Sequence, residues 1–471
     1  MKRRDFGYLC SGSVLAAGMA GLDAAPAKAA ADASLLQTTL TPWGAIRAGN
    51  ADGSIPAWTG GYTTLPAGFR EGDAIGELFP DEQPILTIDA SNVSQHADKL
   101  SEGTVEMINR YGFSILVYPS HRTHALPQRI IDRIAANVAT AGPVPQGYRF
   151  GFQGAFGGIP FPILDPDPLI AGPQAVYNAN CQFKGFASKI PFDGWSVSNG
   201  QLSIAFAALY IQRYPYYQAT SLENFNGIVF QTNVTYTGPA NLVGQALVGQ
   251  SYTDAALNPQ MFWELLNGEG RVRRAPEIAF DTPASQVNDV GNYDENYGFN
   301  GSLERYDWKY LGLKEMYIPY NNNKVVTTAP QPAHLAHFID PKIVRFELHR
   351  CRVVEATLHP GERNVDARRV VYIDEDTSAV QLADMWDANG GLVKTYFGYV
   401  MVRPDIPATM DIGGIIHNLE TGDYASELAA WGPAKPNSYY FTMDQPSQFF
   451  DPQELAASSC GSKYSEGLSI V

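Results

Sequence analysis

Residues 343–358 read IVRFELHRCRVVEATL, and no other stretch constrains the fold as tightly. Val344, Phe346 and Leu348 alternate with Arg345, Glu347 and His349, and the apolar face continues through Val354, Ala356 and Leu358. A period of two belongs to a β-strand with one face turned to a core. Sixteen extended residues would reach roughly 50 Å, well past the usual strand of roughly 3–10 residues. A strand that long twists, so the sheet built on it curls. The segment that follows, ARRVVYIDEDTSAVQLADMWDANGGLVKTYFGYVM, adds a three-strand meander with turns at 374–378 and 388–391.

Upstream the pattern is mixed. FNGIVFQTNVTYTG, LVGQALVGQSYT, QMFWELLNGEGRVRRAP and LGLKEMYIPYN read as strands, with a hairpin turn at Asn267-Gly268-Glu269-Gly270. PQRIIDRIAANVATAG is the clearest helix. Pro127 opens it, Ile130, Ile131, Ile134 and Val138 form one face, and Gly142 stops it. The spacing also predicts a helix over 91–110, a buried helix over NGQLSIAFAALYIQRYP (199–215), and a short one from Thr41 to Gly49. YGFSILVYPS (111–120) reads as a strand. Residues 143–180 are rich in Gly and Pro and read as irregular, and 276–306 reads as a long loop. The implied architecture is mainly β with helices (α+β): one large curled antiparallel sheet, an incomplete barrel, under a helical lid. The concave face of such a sheet either fills with side chains or holds a ligand.

The first 29 residues have the form of a bacterial export signal. Lys2, Arg3 and Arg4 precede an apolar run from Tyr8 to Leu22 and a small-residue cleavage site at Ala27-Lys28-Ala29. The arginine pair followed by Asp5-Phe6 is twin-arginine-like. The apolar run is shorter than the roughly 20 residues a membrane span needs. The expected organisation is a signal at 1–29, a single domain at 30–455 and a flexible tail at 456–471, in a periplasmic protein cleaved near Ala29. Cleavage would remove four basic and two acidic residues and move the net charge from −15 to −17. That acidic balance argues against nucleic acid as a partner. Three cysteines remain, Cys181, Cys351 and Cys460, with no CxxC pair among them.

Local motifs for catalysis or metal binding are weak. Asn50, Asp52 and Ser54 suggest a calcium loop but lack its further acids, and an Asx turn that lays Trp58 on the body fits better. The pairs His121/His124 and His334/His337 sit in turns and read as solvated. The carboxylates of IDEDT (373–377) read as a solvated hairpin end. Gly249-Gln250-Ser251-Tyr252-Thr253 misses the nucleophile elbow, and neither a phosphate-binding loop nor a dinucleotide fingerprint occurs. No catalytic residue, metal ligand or cofactor is assigned. The positive signal is aromatic: Trp263, Tyr317, Phe346, Tyr372, Trp386 and Tyr396 fall in strands and are the candidate lining of an apolar groove. Each CH₂ of a chain buried there would contribute about 0.8 kcal/mol.

LTPWGAIRAGNADGSIPAWTGG, VYPSHRTHALP, GRVRRAPEIAFDTP, GSLERYDWKYLGLKEMYIPYN and RFELHRCRVVEATLHPGERNVDARRVVYIDEDT together resemble the DUF 1329 family, exported proteins of Gram-negative bacteria whose role is unassigned. The resemblance runs from about Leu40 to Tyr424. The chain departs from it at 199–215, where it has no Trp-Asn-His pattern. The family is similar to the LolA/LolB-like outer-membrane lipoprotein-sorting fold, an incomplete antiparallel barrel closed by helices around a cavity for acyl chains. The resemblance implies a periplasmic shuttle for a hydrophobic compound, beside an efflux-type transporter or outer-membrane protein. The sequence therefore reads as a binding or carrier protein for a lipid or other hydrophobic molecule. A periplasmic enzyme on a hydrophobic substrate and an envelope adaptor are the competing readings.

Overall fold

Strand formation begins where the sequence alternates and ends at its Gly and Asn turns. In the computed structural model, residues 32–459 are described, apart from 268–270, 276–279, 285–286, 430, 432–438 and 442–443. The expected export signal, and the expected tail from Cys460 onward, lie outside the described residues. The strands in chain order are β1 (Leu86–Ile88), β2 (Ile115–Val117), the two-residue pair β3 (Gly142–Pro143) and β4 (Phe152–Gln153), β5 (Ala187–Ser198), β6 (Gln201–Arg213), β7 (Ile228–Gly238), β8 (Ala246–Tyr252), β9 (Met261–Leu265), β10 (Val272–Ala275), β11 (Tyr306–Pro319), β12 (Phe346–Leu358), β13 (Arg368–Asp374), β14 (Val380–Trp386), β15 (Leu392–Arg403), β16 (Ala408–Asn418) and β17 (Tyr424–Ala429).

Fifteen of these strands form one sheet in the order β1-β2-β12-β13-β14-β15-β16-β17-β5-β6-β7-β8-β9-β10, with β11 paired along β12. All neighbours run antiparallel except β2 and β12, which are parallel at Val117 and Phe346. The end strands β1 and β10 do not pair with each other, so the sheet is curled but not closed. The expected turns are present, with Ser378 (φ 60°) between β13 and β14 and Gly390 (φ 82°) between β14 and β15. β9 and β10 pair from Leu265 with Val272 across the expected hairpin, whose residues 268–270 lie outside the described set.

The longest helices among the described residues lie in the first half of the chain. α1 (Glu102–Tyr111) starts at Ser101, whose hydroxyl accepts from the Thr104 amide, and packs on β14 and β15. α2 (Gln128–Thr140) buries Ile130 and Ile134 as its pattern required. α3 (Pro168–Asn180) crosses β11, β12 and β13.

Several expected elements differ. Residues 199–215 are not a helix but strand β6, and Asn199 (φ 50°) and Gly200 (φ 72°) form the tight turn from β5. An Asn-Gly pair with both residues at positive φ matches the twist of a hairpin, and cross-strand pairing then overrides the Ala-rich helix propensity. Residues 143–180, expected to be irregular, contain α3. Asp167 caps it and Pro168 opens it. Its internal Gly172 lets the helix lie against β11, because a Cβ there would sit 2.7 Å from the Trp308 carbonyl oxygen. Residues 91–110 hold two short 3₁₀ turns before α1, and only Ile115–Val117 of the run at 111–120 is a strand. At the C-terminal end the described chain continues as a helix, Pro452–Ser459, packed on β8, β9 and β10.

The Thr41–Gly49 helix does not form. The Thr41 hydroxyl accepts from the Ala45 amide at 3.0 Å, and Leu40 bridges Ile46, which makes a tight turn. Gly44 sits at φ +85° with Pro162 so close that a Cβ would lie 1.7 Å from its carbonyl oxygen. This turn presses Trp43 into the body, 1% exposed, edge-on to Trp58 at 5.1 Å and to His124 at 4.5 Å. Asn50, Asp52 and Ser54 hydrogen-bond among themselves as an Asx turn, and the Trp58 indole donates to the His124 carbonyl at 3.0 Å.

Candidate functional site

Two regions of the sheet concentrate polar chemistry, and they lie on different strands. On β12 to β14 the core is packed around a buried ion network. IDEDT, expected to be solvated, is buried: Asp374, Glu375 and Asp376 are at most 3% exposed. The reason is the N-terminal strap, Leu40 to Trp58, which folds over this hairpin. Arg122 holds Asp376 through Nε and Nη2, each at 2.7 Å, and donates to the Arg47 carbonyl at 3.2 Å. Arg350 donates to Glu375 and to the Ala48 carbonyl, Arg352 to the Gly44 carbonyl, and the Ile46 amide to Glu375. The acidic hairpin is thus the latch that fastens the strap.

The network continues through β12. Glu347 accepts from Arg345, from the His121 amide at 2.7 Å, and contacts His349 Nε2 at 3.0 Å. Burial opposes its charge, yet His349 and Arg345 hold Glu347 below the ordinary carboxylate range. Burial likewise opposes the charge on Asp376, but Arg122 outweighs it and lowers that carboxyl. Glu375 goes the other way: burial and the neighbouring Asp376 push it up to about 7. His349, Asp374 and Asp376 have ligand-type atoms within 4.8 Å of one another. Asp376 is taken by Arg122 and His349 by Glu347, so the trio works as a charge network rather than an open ligand set. The histidine pairs, expected to be solvated, are engaged. His121 lies 2.7 Å from Glu82, His124 is buried against Trp43, His334 bridges Pro330 and Ser426, and His337 meets the Gly422 carbonyl.

On β6 to β9 the concave face stays partly empty. A cavity of about 230 Å³ opens there. Alternation sets its wall: Tyr210, Gln212 and Tyr214 follow β6, Phe230, Thr232, Val234 and Tyr236 follow β7, and Leu247 and Ser251 follow β8. Phe152, Tyr177 and Cys181 close one side, and Tyr293, Tyr297 and Phe299, from the long loop before β11, close another. Tyr297 stands at φ 56°, the kink that turns its ring toward Lys184, whose Nζ lies 4.1 Å from the ring centre.

The lining is mostly aromatic and aliphatic, and its charged members are Lys184, Asp411 and Glu427. Lys184 Nζ is 3.6 Å from Asp411 Oδ2, and Asp411 Oδ1 accepts from the Gly413 amide at 2.7 Å. Among the described residues the partner of the Glu427 carboxyl is the Tyr210 hydroxyl at 3.4 Å. Burial pushes Glu427 up to about 7 and raises Asp411. Glu427 lies opposite Gly414 of β16 and Gly194 of β5, and the rings of Tyr396 and Phe206 occupy the room those glycines leave. The Thr232 hydroxyl, 5% exposed, has no hydrogen-bond partner among the described residues.

The six aromatic residues singled out in the sequence are not brought together. Trp263 is half-buried beside Ala246, Val248 and Leu455, a cluster separate from the main core, while its neighbour Phe262 lines the cavity. Tyr317 meets His96 on β11, Phe346 packs with Phe113 and Phe397, and Tyr372 is core on β13. Trp386 lies under the Arg368 guanidinium at 4.1 Å. Tyr396 borders a small side pocket shared with Glu427 and Tyr297, which also line the cavity. The residues missed, on β6, β7 and the loop at 293–303, carried a signal in their aromatic–polar alternation. Cys181 and Cys351 are both buried and form no disulfide among the described residues. Among the described residues, no helix is long and apolar enough to cross a membrane.

An uncharacterized protein of Pseudomonas aeruginosa is 33% identical over 388 residues, covering 80% of this chain and 83% of its own. A DUF1329 family protein from Desulfovibrio piger, of known crystal structure, superposes with a TM-score of 0.41 at 14% identity, over 61% of this chain and 99% of its own. A LolA superfamily protein from Nitrosomonas europaea gives a TM-score of 0.33 at 11% identity, over 58% of this chain and 93% of its own. Residues 87–456 match the sequence profile of a family described as proteins of unknown function, and the chain belongs to that family, DUF1329.

Proposed function

We propose that this protein is a periplasmic carrier that holds a lipid or other hydrophobic molecule on the concave face of its sheet and serves an envelope transport system, with an efflux-type transporter or outer-membrane protein as its partner. The observation that carries the reading is the cavity on β6 to β9, walled by tyrosine, phenylalanine and aliphatic side chains, while β12 to β14 contribute to the packed core. Concave, mainly apolar space with a few convergent polar groups is what small-molecule binding requires. The export-like N-terminus supports the compartment, and the resemblance of the family to the lipoprotein-sorting fold supports the ligand class. The test is uptake of diphenylhexatriene by the purified protein, beside native mass spectrometry of material taken from the periplasm. Wild type should take up the dye and carry a co-purifying apolar molecule. Val234→Trp, which fills the wall of the cavity, should lose both. Equal uptake by the variant, or none by wild type, would refute the reading.

A further inference from the structure

The cavity has a charge imbalance at one end. Two carboxylates, Asp411 and Glu427, share it with one ammonium, Lys184. Lys184 is committed to Asp411 at 3.6 Å. Glu427 is left with one long contact, to the Tyr210 hydroxyl at 3.4 Å. An acid in an enclosed site without a cation is poorly stabilised as its anion, and Glu427 shows this, since burial raises its pKa. Gly194 and Gly414, opposite it on the flanking strands, make room for the Phe206 and Tyr396 rings at this end. Tyrosine rings lie beside it: Tyr297 and Tyr396 border a small side pocket with Glu427, and Tyr210, whose hydroxyl meets the carboxyl, stacks on Phe192 at 4.5 Å. Aromatic faces beside a carboxylate attract a cation. Independently, the buried Thr232 hydroxyl lines the same cavity without a partner among the described residues, a polar group that a ligand would satisfy.

We infer that the cavity selects a ligand with an apolar body and a single cationic amine head, with Glu427 as the counter-ion in a tyrosine-lined end and Asp411 balanced by Lys184. The inference rests on the carrier reading and names the ligand class for that site. A ligand with a carboxylate head would face two acids against one ammonium and is disfavoured.

The test is calorimetric titration of the full mature protein near pH 8, where most carboxylates are ionised, with decylamine, decanol and decanoate as probes. Decylamine should bind about tenfold tighter than decanol, and decanoate weakest. Glu427→Gln should bring decylamine down to the level of decanol while decanol affinity stays within about twofold. Lys184→Met should act in the opposite direction and tighten decylamine about three- to tenfold, because it frees Asp411 for the ligand. A gain of this kind cannot come from a damaged fold. If decanol binds and decylamine binds no tighter, or if Glu427→Gln keeps the amine preference, the head-group inference is overturned and the carrier reading stands. If none of the three probes binds, both fall.

Discussion

Arg122→Met should break the latch of the N-terminal strap. Arg122 makes two 2.7 Å bonds to Asp376, lies 3.9 Å from Glu375 and donates to the Arg47 carbonyl. Asp376 also accepts the Trp43 indole at 3.4 Å. All four side chains are nearly inaccessible. Removing one partner of such a pair leaves an uncompensated buried charge, which costs about 3–5 kcal/mol. The cost should fall first on the strap, whose backbone at Arg47 is held by Arg122 and by the Trp58 amide. If about 3 kcal/mol of it is local, the open strap gains population by about a hundredfold. Trypsin cleavage after Arg47 reads this directly, with urea unfolding as the global measure. The double variant Arg122→Met/Asp376→Leu should recover at least about half of the loss, since no buried charge is then orphaned. A cost below about 1 kcal/mol with unchanged cleavage at Arg47 would refute the latch.

Three further outcomes follow from the same structure. Gly44→Ala should cost about 3 kcal/mol and expose Trp43 by fluorescence, because the position has φ +85° and a Cβ would meet the Pro162 carbonyl at 1.7 Å; a cost near zero would mean the strap is not seated there. Glu427 holds its proton more tightly in the folded chain, up to about 7. The stability this gives is present below the ordinary carboxyl value and lost as pH rises through about 7, so wild type should lose up to about 3 kcal/mol relative to Glu427→Gln between roughly pH 5 and pH 8. A flat difference in urea midpoints across that range would contradict this. Thr232→Val removes a buried hydroxyl without a partner and keeps its volume, so it should be neutral or stabilising by up to about 1 kcal/mol in thermal unfolding; a clear loss would mean the hydroxyl has an undetected role in packing.

Local periodicity carried much of this fold. β12 to β15 and their two turns were readable because alternation and turn residues coincide over 343–401. α2 was readable because its isoleucines recur on one face. The failures have physical causes. β6 has enough Ala and Leu to mimic a helix, and the deciding signal was the two-residue Asn199-Gly200 turn. Gly172 and Pro173 disguised α3, although Asp167-Pro168 marks its start. The acids of 374–376 read as solvated because their arginines, Arg122, Arg350 and Arg352, are far away in the chain or on another strand. The cavity was hardest. Its wall joins β6 to β9 with the loop at 293–303, and no local window contains both. An aromatic strand residue can face a hollow or a packed layer, and alternation alone does not say which.

The strap that lays Trp43 against Asp376 joins positions 333 residues apart. A ribosome releases the early half long before its fastening exists. Until 374–376 emerges and pairs with Arg122, Trp43 and Trp58 have no permanent home, and the first segment of the body to be made is the last that can settle. Chains cut short before that hairpin should therefore display two loose tryptophans to proteases and chaperones, which gives the cell a simple mark of an unfinished molecule.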